Sequence, residues 1–263
     1  LQPSELMKVG LALALARYFH GVSTEDVRRI HYLFVPLLLI GLPSALVLKQ
    51  PDLGTALFLI MMGGAVFFVA GVRLWKFCIV LAATGAAVPI VWSTLRSYQQ
   101  KRILTFLDPE SDPLGAGYHI LQSKIALGSG GLFGKGFMQG SQSHLNFLPE
   151  KQTDFIFTMM AEEFGMVGGL VLLGLYILIM IYGFAIGLRS RSHFGRLLAL
   201  GLTSMLFLYV FINIAMVMGL IPVVGVPLPL ISYGGTAMLT LMIGIGFLIN
   251  VYVHRDVTIS RTG

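Results

Sequence analysis

Seven apolar runs dominate the chain, at roughly 3–19, 32–48, 53–72, 77–95, 155–187, 197–218 and 234–253. Several approach or exceed the roughly 20 residues that a helix needs to cross a bilayer core, with few ionisable groups inside. Lipid leaves unpaired backbone groups unsatisfied, so crossings of this kind are helical. The pattern predicts an all-α polytopic membrane protein with about seven transmembrane helices. The first run is the weakest, because Glu5 and Lys8 fall within it.

Composition agrees with the pattern. Of 263 residues, 56% are hydrophobic and 11% charged, and the mean hydropathy is +0.83. That profile excludes an ordinary soluble domain. The single cysteine, Cys78, allows no disulfide framework and no thiol metal site, and it reads as a small buried hydrophobe. The histidines show no HExxH or other ligand spacing. The residues name no cofactor and leave a divalent cation open. The start, "LQPSELMKVG", has neither initiator Met nor signal-peptide character, so the chain reads as part of a longer protein.

Charge sets an orientation. Arg28 and Arg29, Arg73 and Lys76, the run "RSRSHFGR", and Arg255 with Arg261 alternate with loops poorer in basic residues. Basic loops collect on the cytoplasmic side. The net charge of +6 follows from this arrangement, so nucleic-acid binding is excluded. The turn 49–52, the segment 96–154 and the segment 219–235 then face outward.

The outer segment 96–154 is long enough to expect a function. Its run "GSGGLFGKGFMQG", from Gly128 to Gly140, resembles a phosphate loop but fails the pattern, because Gly136 follows Lys135 where Ser or Thr is required. It reads as the flexible portion of the segment, either a backbone anion site or a plain surface loop. The segment after Gly219 carries Pro222, Pro227 and Pro229 without any charge. Proline at this density breaks helix, which predicts a dipping loop that forms part of a groove wall, or else a plain hydrophobic connector packed on protein.

Four carboxylates, Glu150, Asp154, Glu162 and Glu163, gather where the chain enters its fifth apolar run. Pro149 or Thr153 could open that helix, which would place Asp154 in its first turn. An acid there could complement the helix dipole or face the outer groove as a catalytic group. Glu162 and Glu163 lie about 12 Å deeper at 1.5 Å per residue, too far to pair with Asp154, and are expected to be buried structural acids. Glu150 is a nearer companion. Glu5 and Lys8, three apart on one helix, can pair. Lys49 and Asp52 cap an outer turn, and Lys101 and Arg102 open the long segment.

The motifs "QPSELMK" (2–8), "QPDLGTA" (50–56), "RILTFLDPESDPLGAGYHILQSKIALGSGGLFGKG" (102–136), "LPEKQTDFIF" (148–157), "AEEFG" (161–165) and "PLISYGG" (229–235) closely resemble the SEDS family (shape, elongation, division and sporulation). The 102–136 motif and "LPEKQTDFIF" are closer to its rod-elongation branch than to its division branch. The resemblance covers the whole chain. It implies one transmembrane domain over 1–263, the last seven of ten crossings and so incomplete at its N-terminus, in the bacterial cytoplasmic (inner) membrane with the active site facing the periplasm. It also implies a peptidoglycan glycosyltransferase that polymerises lipid II during cell elongation, with a class B penicillin-binding protein and the elongation machinery as partners.

By motif position, Asp154 matches the essential aspartate of the family, and Glu5 and Lys8 its outer polar pair. Chemistry then suggests roles. A lipid pyrophosphate leaves readily, so the reaction needs a base and a positive anion stabiliser more than a general acid. Asp154 is expected to be the base for an inverting attack that releases undecaprenyl pyrophosphate. Arg102, Lys8, Lys49 and Lys124 are candidates for holding the pyrophosphate, with Arg102 preferred for its planar fork. Asp52, Glu5 and Glu150 complete the expected substrate contacts. A lipid II flippase and a non-catalytic membrane scaffold for a penicillin-binding protein are the competing readings.

Overall fold

The computed structural model describes residues 2–23, 25–95, 97–109, 116–140 and 152–260. Glu150 and Pro149 lie outside these. Among the described residues there are nine α-helices, two 3₁₀ turns (Asp26–Arg28 and His31–Leu33) and no strand. The helices are α1 (Pro3–Gly21), α2 (Phe34–Lys49), α3 (Leu53–Val69), α4 (Leu74–Thr94), α5 (Ser97–Leu107), α6 (Ala116–Ser129), α7 (Ile156–Arg189), α8 (His193–Val217) and α9 (Gly235–Val253). Each of the seven apolar runs is helical. Four helices among the described residues are long and apolar enough to cross a membrane: His31–Lys49, α7, α8 and α9. Leu53–Val69 and Leu74–Pro89 are shorter apolar helices.

The chain divides into two compact units. The first comprises Leu1–Phe77, Ile177–Leu208 and Gly234–Gly263. Here α1, α2 and α3 pack on one another and α1 also meets α9. Leu15, Phe19, Phe58, Leu59 and Met62 are fully enclosed, with Leu197 and Leu202 of α8. Phe19 meets Phe67 edge-on with ring centroids 5.4 Å apart. Close approach is set by small residues, since a side chain at Gly63 would collide with Ile40 and one at Gly183 with Thr203. Leu37, Leu38, Leu42 and Leu46 stay exposed on α2, the expected outer face of a helix in lipid.

The second unit comprises Cys78–Tyr176 and Tyr209–Tyr233. The outer segment 96–154 contributes two helices, α5 and α6, to it. Ser123 of α6 is buried and joins two neighbours, lying 2.8 Å from the Thr158 hydroxyl and donating to the Val217 carbonyl at 2.8 Å. Cys78 is exposed, against the expectation of burial. It shares the surface of α4 with exposed Ile79, Val80 and Leu81, because an apolar helix that meets lipid gains nothing by turning its apolar residues inward.

The fifth run departs most from expectation. As one straight rod, α7 would be about 50 Å long at 1.5 Å per residue, far beyond a bilayer core of about 30 Å. It is instead broken at Gly165, whose φ of 69° and ψ of −165° are non-helical. The glycine-rich run fills the break. Lys135 and Gly136 donate their backbone N–H groups to the Glu162 and Glu163 carbonyls, each at 3.0 Å. Met166 and Val167 donate to Gly131 and Leu132 at 2.9 and 3.1 Å. These bonds replace the ones a broken helix loses at both ends. The run is therefore a fitted plug rather than a flexible loop. The amides of Gly134, Lys135 and Gly136 already have carbonyl acceptors, which excludes them from the anion site considered above.

Candidate functional site

Asp154 stands in a turn at 152–155, and α7 begins at Ile156. The expected opening at Thr153 does not occur, so Asp154 precedes the helix rather than occupying its first turn. The reason lies in the backbone of this turn, which is bonded to the proline-rich segment. Three successive carbonyls accept hydrogen bonds from it or from the helix leading into it. Gln152 accepts from the Tyr233 N–H at 2.8 Å, Thr153 from the Ser232 hydroxyl at 2.6 Å and Asp154 from the Asn213 amide at 2.9 Å.

Asn213, near the end of α8, is fully buried. Its amide nitrogen donates a second bond, to the Val226 carbonyl, at 2.7 Å. Ser232 also accepts from the Leu228 N–H at 2.7 Å, and the buried Tyr176 hydroxyl donates to the Pro229 carbonyl. The segment is thus irregular, apolar and packed on protein, with Val226, Leu228 and Pro229 buried. Proline removes N–H donors here, so the surrounding polar side chains satisfy the carbonyls that no helix can use.

This scaffold leaves the Asp154 carboxylate half-buried beside Gly225. A β-carbon on Gly225 would stand 3.4 Å from Asp154 Oδ2, and its φ of +77° favours glycine. Lys124, exposed on α6, lies across Gly219 at the start of the same segment, so closely that a side chain on Gly219 would collide with it. Arg102 is exposed on α5.

The two deeper acids part company. Glu162 is wholly buried and pairs with Lys135 Nζ at 2.7 Å. Glu163 is half-buried and lines an apolar cleft of about 350 Å³ with Gln152, Ile156, Met159, Met160, Phe164 and Ile231.

In the first unit Glu5 and Lys8 form the expected pair, at 2.6 Å, with side-chain exposures of only 7% and 2%. Lys8 also sits 4.5 Å from the centre of the Phe58 ring and is attracted by Asp52. Pairing lets α1 carry two charges into an apolar bundle. Burial leaves both little surface with which to touch a ligand. Asp52 caps α3 by accepting from the Thr55 N–H at 2.9 Å, and Lys49 is the exposed last residue of α2. Among the described residues no group of three or more His, Cys, Asp or Glu side chains gathers as a metal site.

Sequence reasoning missed Asn213, Ser232, Tyr176 and Lys135. A signal existed for two of them. Asn213 is a carboxamide in the middle of an apolar run, and such groups need partners; Ser232 lies in the quoted "PLISYGG".

Residues 1–257 match the family of cell cycle proteins typified by FtsW, RodA and SpoVE. The chain is 50% identical over 258 residues to the peptidoglycan glycosyltransferase MrdB of Escherichia coli (strain K12), a match covering 97% of this chain and 68% of that one. It is 39% identical to the stage V sporulation protein E of Bacillus subtilis (strain 168), over 95% of this chain and 68% of that protein. Among solved structures, a chain of a peptidoglycan synthase complex that coordinates polymerization and crosslinking superposes with a TM-score of 0.80 at 38% identity, covering 97% of this chain and 70% of that one. The rod shape determining protein RodA of Thermus thermophilus superposes with a TM-score of 0.65 at 31% identity, covering 97% and 66%.

Proposed function

Because the chain belongs to the FtsW, RodA and SpoVE family of cell cycle proteins, we propose that it is a multi-pass peptidoglycan glycosyltransferase that polymerises lipid II, with Asp154 as its catalytic base. The observation that carries the catalytic assignment is the fixation of the Asp154 turn. Three consecutive carbonyls are bonded to Tyr233, Ser232 and Asn213, so the carboxylate is presented from a backbone with little freedom. Positioning of this kind supports a base, which acts only within hydrogen-bond reach of the proton it takes.

In the proposed reaction Asp154 takes the proton of the acceptor sugar's 4-hydroxyl as that oxygen attacks the donor's anomeric carbon. The bond from that carbon to the lipid pyrophosphate breaks, its electron pair leaves with undecaprenyl pyrophosphate, and the configuration inverts. Lys124, against Gly219 in the same unit, and Arg102 are the proposed cations for the departing anion. In the first unit Lys49 and Asp52 keep exposed surface and are the candidates there for polar substrate contact, while the buried Glu5–Lys8 pair supports α1. On the same reading the active face looks to the periplasmic side of the inner membrane and the partner is a class B penicillin-binding protein. The relative solved in a peptidoglycan synthase complex favours such a partnership.

Glycan product formed from lipid II by the purified protein, compared with Asp154→Ala, is the test. Polymer from the wild type and none from the variant is expected. Transbilayer movement of lipid II without polymer would favour the flippase reading, and full activity of the variant would remove Asp154 from the chemistry.

A further inference from the structure

A cavity of about 420 Å³ lies in the first unit, among the α7–α8 turn, the end of α9 and the tail that follows it. Leu13, Leu198, Phe247 and Val257 line it, together with the exposed polar residues Asn250 and His254. The tail is held in place, because His20 Nε2 donates to the Ser260 carbonyl at 3.1 Å. Val257 remains 52% exposed while forming part of the wall. The cavity is therefore apolar and reachable from outside, and it uses none of the residues assigned to the Asp154 chemistry.

Charge beside the cavity is one-sided. The Arg191 N–H donates to the Arg255 carbonyl at 2.8 Å, which joins the α7–α8 turn to the tail. Arg191 stands between two lining residues, Ser190 and Ser192, and Arg255 follows a third, His254. Both guanidinium groups face one carboxylate, Asp256, at 3.8 and 3.7 Å. These separations exceed the roughly 2.7–2.9 Å of a charge-assisted hydrogen bond, and one carboxylate cannot neutralise two cations. Arg189 and Arg196 add exposed positive charge on either side of the turn.

An apolar cavity with surplus cations beside it complements a molecule that has an apolar chain and an anionic head. We propose that it takes an acyl chain of an acidic glycerophospholipid, whose phosphate sits between Arg191 and Arg255. The lipid would then tie the α7–α8 turn to the tail after α9 and stabilise the end of the bundle.

The test titrates purified protein in detergent with dioleoyl phosphatidylglycerol or dioleoyl phosphatidylcholine, reading bound lipid by native mass spectrometry and folding by melting temperature. With two arginines engaged, phosphatidylglycerol should be retained at about 30-fold lower concentration than phosphatidylcholine. The Arg191→Gln/Arg255→Gln variant should lose that preference, and Asn250→Trp, which narrows the cavity, should weaken both lipids. Glycerol 3-phosphate should not compete, because it has no chain for the cavity. Equal retention of the two lipids, an unchanged preference in the arginine variant, unaltered binding in folded Asn250→Trp, or full competition by glycerol 3-phosphate would each overturn the proposal. Should Asn250→Trp not fold, Arg191→Gln alone decides, since that side chain is 70% exposed.

Discussion

Asn213 donates from one amide nitrogen to two backbone carbonyls, Asp154 at 2.9 Å and Val226 at 2.7 Å. One buried side chain thus sets the distance between the turn that carries the proposed base and the proline-rich segment beside it. Both carbonyls would lose this donor without it, and a buried carbonyl that loses its donor unreplaced costs about 1–3 kcal/mol.

The role of Asn213 is donation, which separates its variants. Asn213→Asp keeps the shape but, when ionised, has no proton to give. It should therefore be no better than Asn213→Ala, and both should lower kcat with KM little changed. Steady-state kinetics on folded protein provide the check. A near-normal Asn213→Asp enzyme would mean that packing, not donation, matters there.

Asp154→Asn removes proton acceptance while keeping size. Loss of a positioned base typically costs about 10² to 10⁴ in rate, or about 3 to 5.5 kcal/mol of barrier. Asp154 immediately precedes α7, and Asn serves near a helix start about as well as Asp, so the melting temperature should hardly move. Measured together, activity and melting distinguish chemistry from structure. A variant that polymerises normally ends the base assignment.

The Lys135–Glu162 pair is unequal. Glu162 is wholly buried and Lys135 is 31% exposed. Lys135→Met would leave a buried carboxylate without its cation, at about 3–5 kcal/mol, whereas Glu162→Gln leaves a lysine that can reach water. The lysine variant should melt lower. The reverse order would show that the plug is held by its backbone bonds alone.

The fit between plug and helix predicts intolerance at Gly134 and Gly165. A side chain on Gly134 would strike the Glu163 carbonyl, and one on Gly165 the Gly134 amide. Gly165→Ala should reduce folded yield severely, as backbone strain and collision together exceed about 3 kcal/mol. Wild-type yield and melting would mean that the break in α7 is dispensable.

Orientation is tested by labelling in a Cys78→Ala background. Cysteines at Phe133, exposed in the plug, and at Thr258, exposed in the tail, should react with an impermeant reagent from opposite sides, Phe133 from the periplasm. Labelling of both from one side would overturn the topology read from the basic loops, and labelling of Phe133 from the cytoplasm would reverse it.

Much of this was legible in the residues alone. Apolar runs marked every helix later found at those positions, since backbone in lipid has few alternatives to helix. The Glu5–Lys8 pair followed from a spacing of three on one face, because such pairs are made within a single turn. A 33-residue run was itself a clue to the break in α7, being too long for one straight crossing, but it did not say which glycine would open or what would fill the gap.

Tertiary structure decided the rest, and the physical reason is the range over which the bonds act. Lys135 is 27 residues from Glu162, Asn213 is 59 from Asp154 and Ser232 is 79 from Thr153. Helical periodicity relates residues three or four apart and carries no information across such separations. The sequence by itself determined the class of fold, the placement of the seven apolar helices and the presence of an acid at residue 154. Only the folded chain determined that this acid stands outside its helix, because the carbonyls around it are claimed by donors from a distant segment.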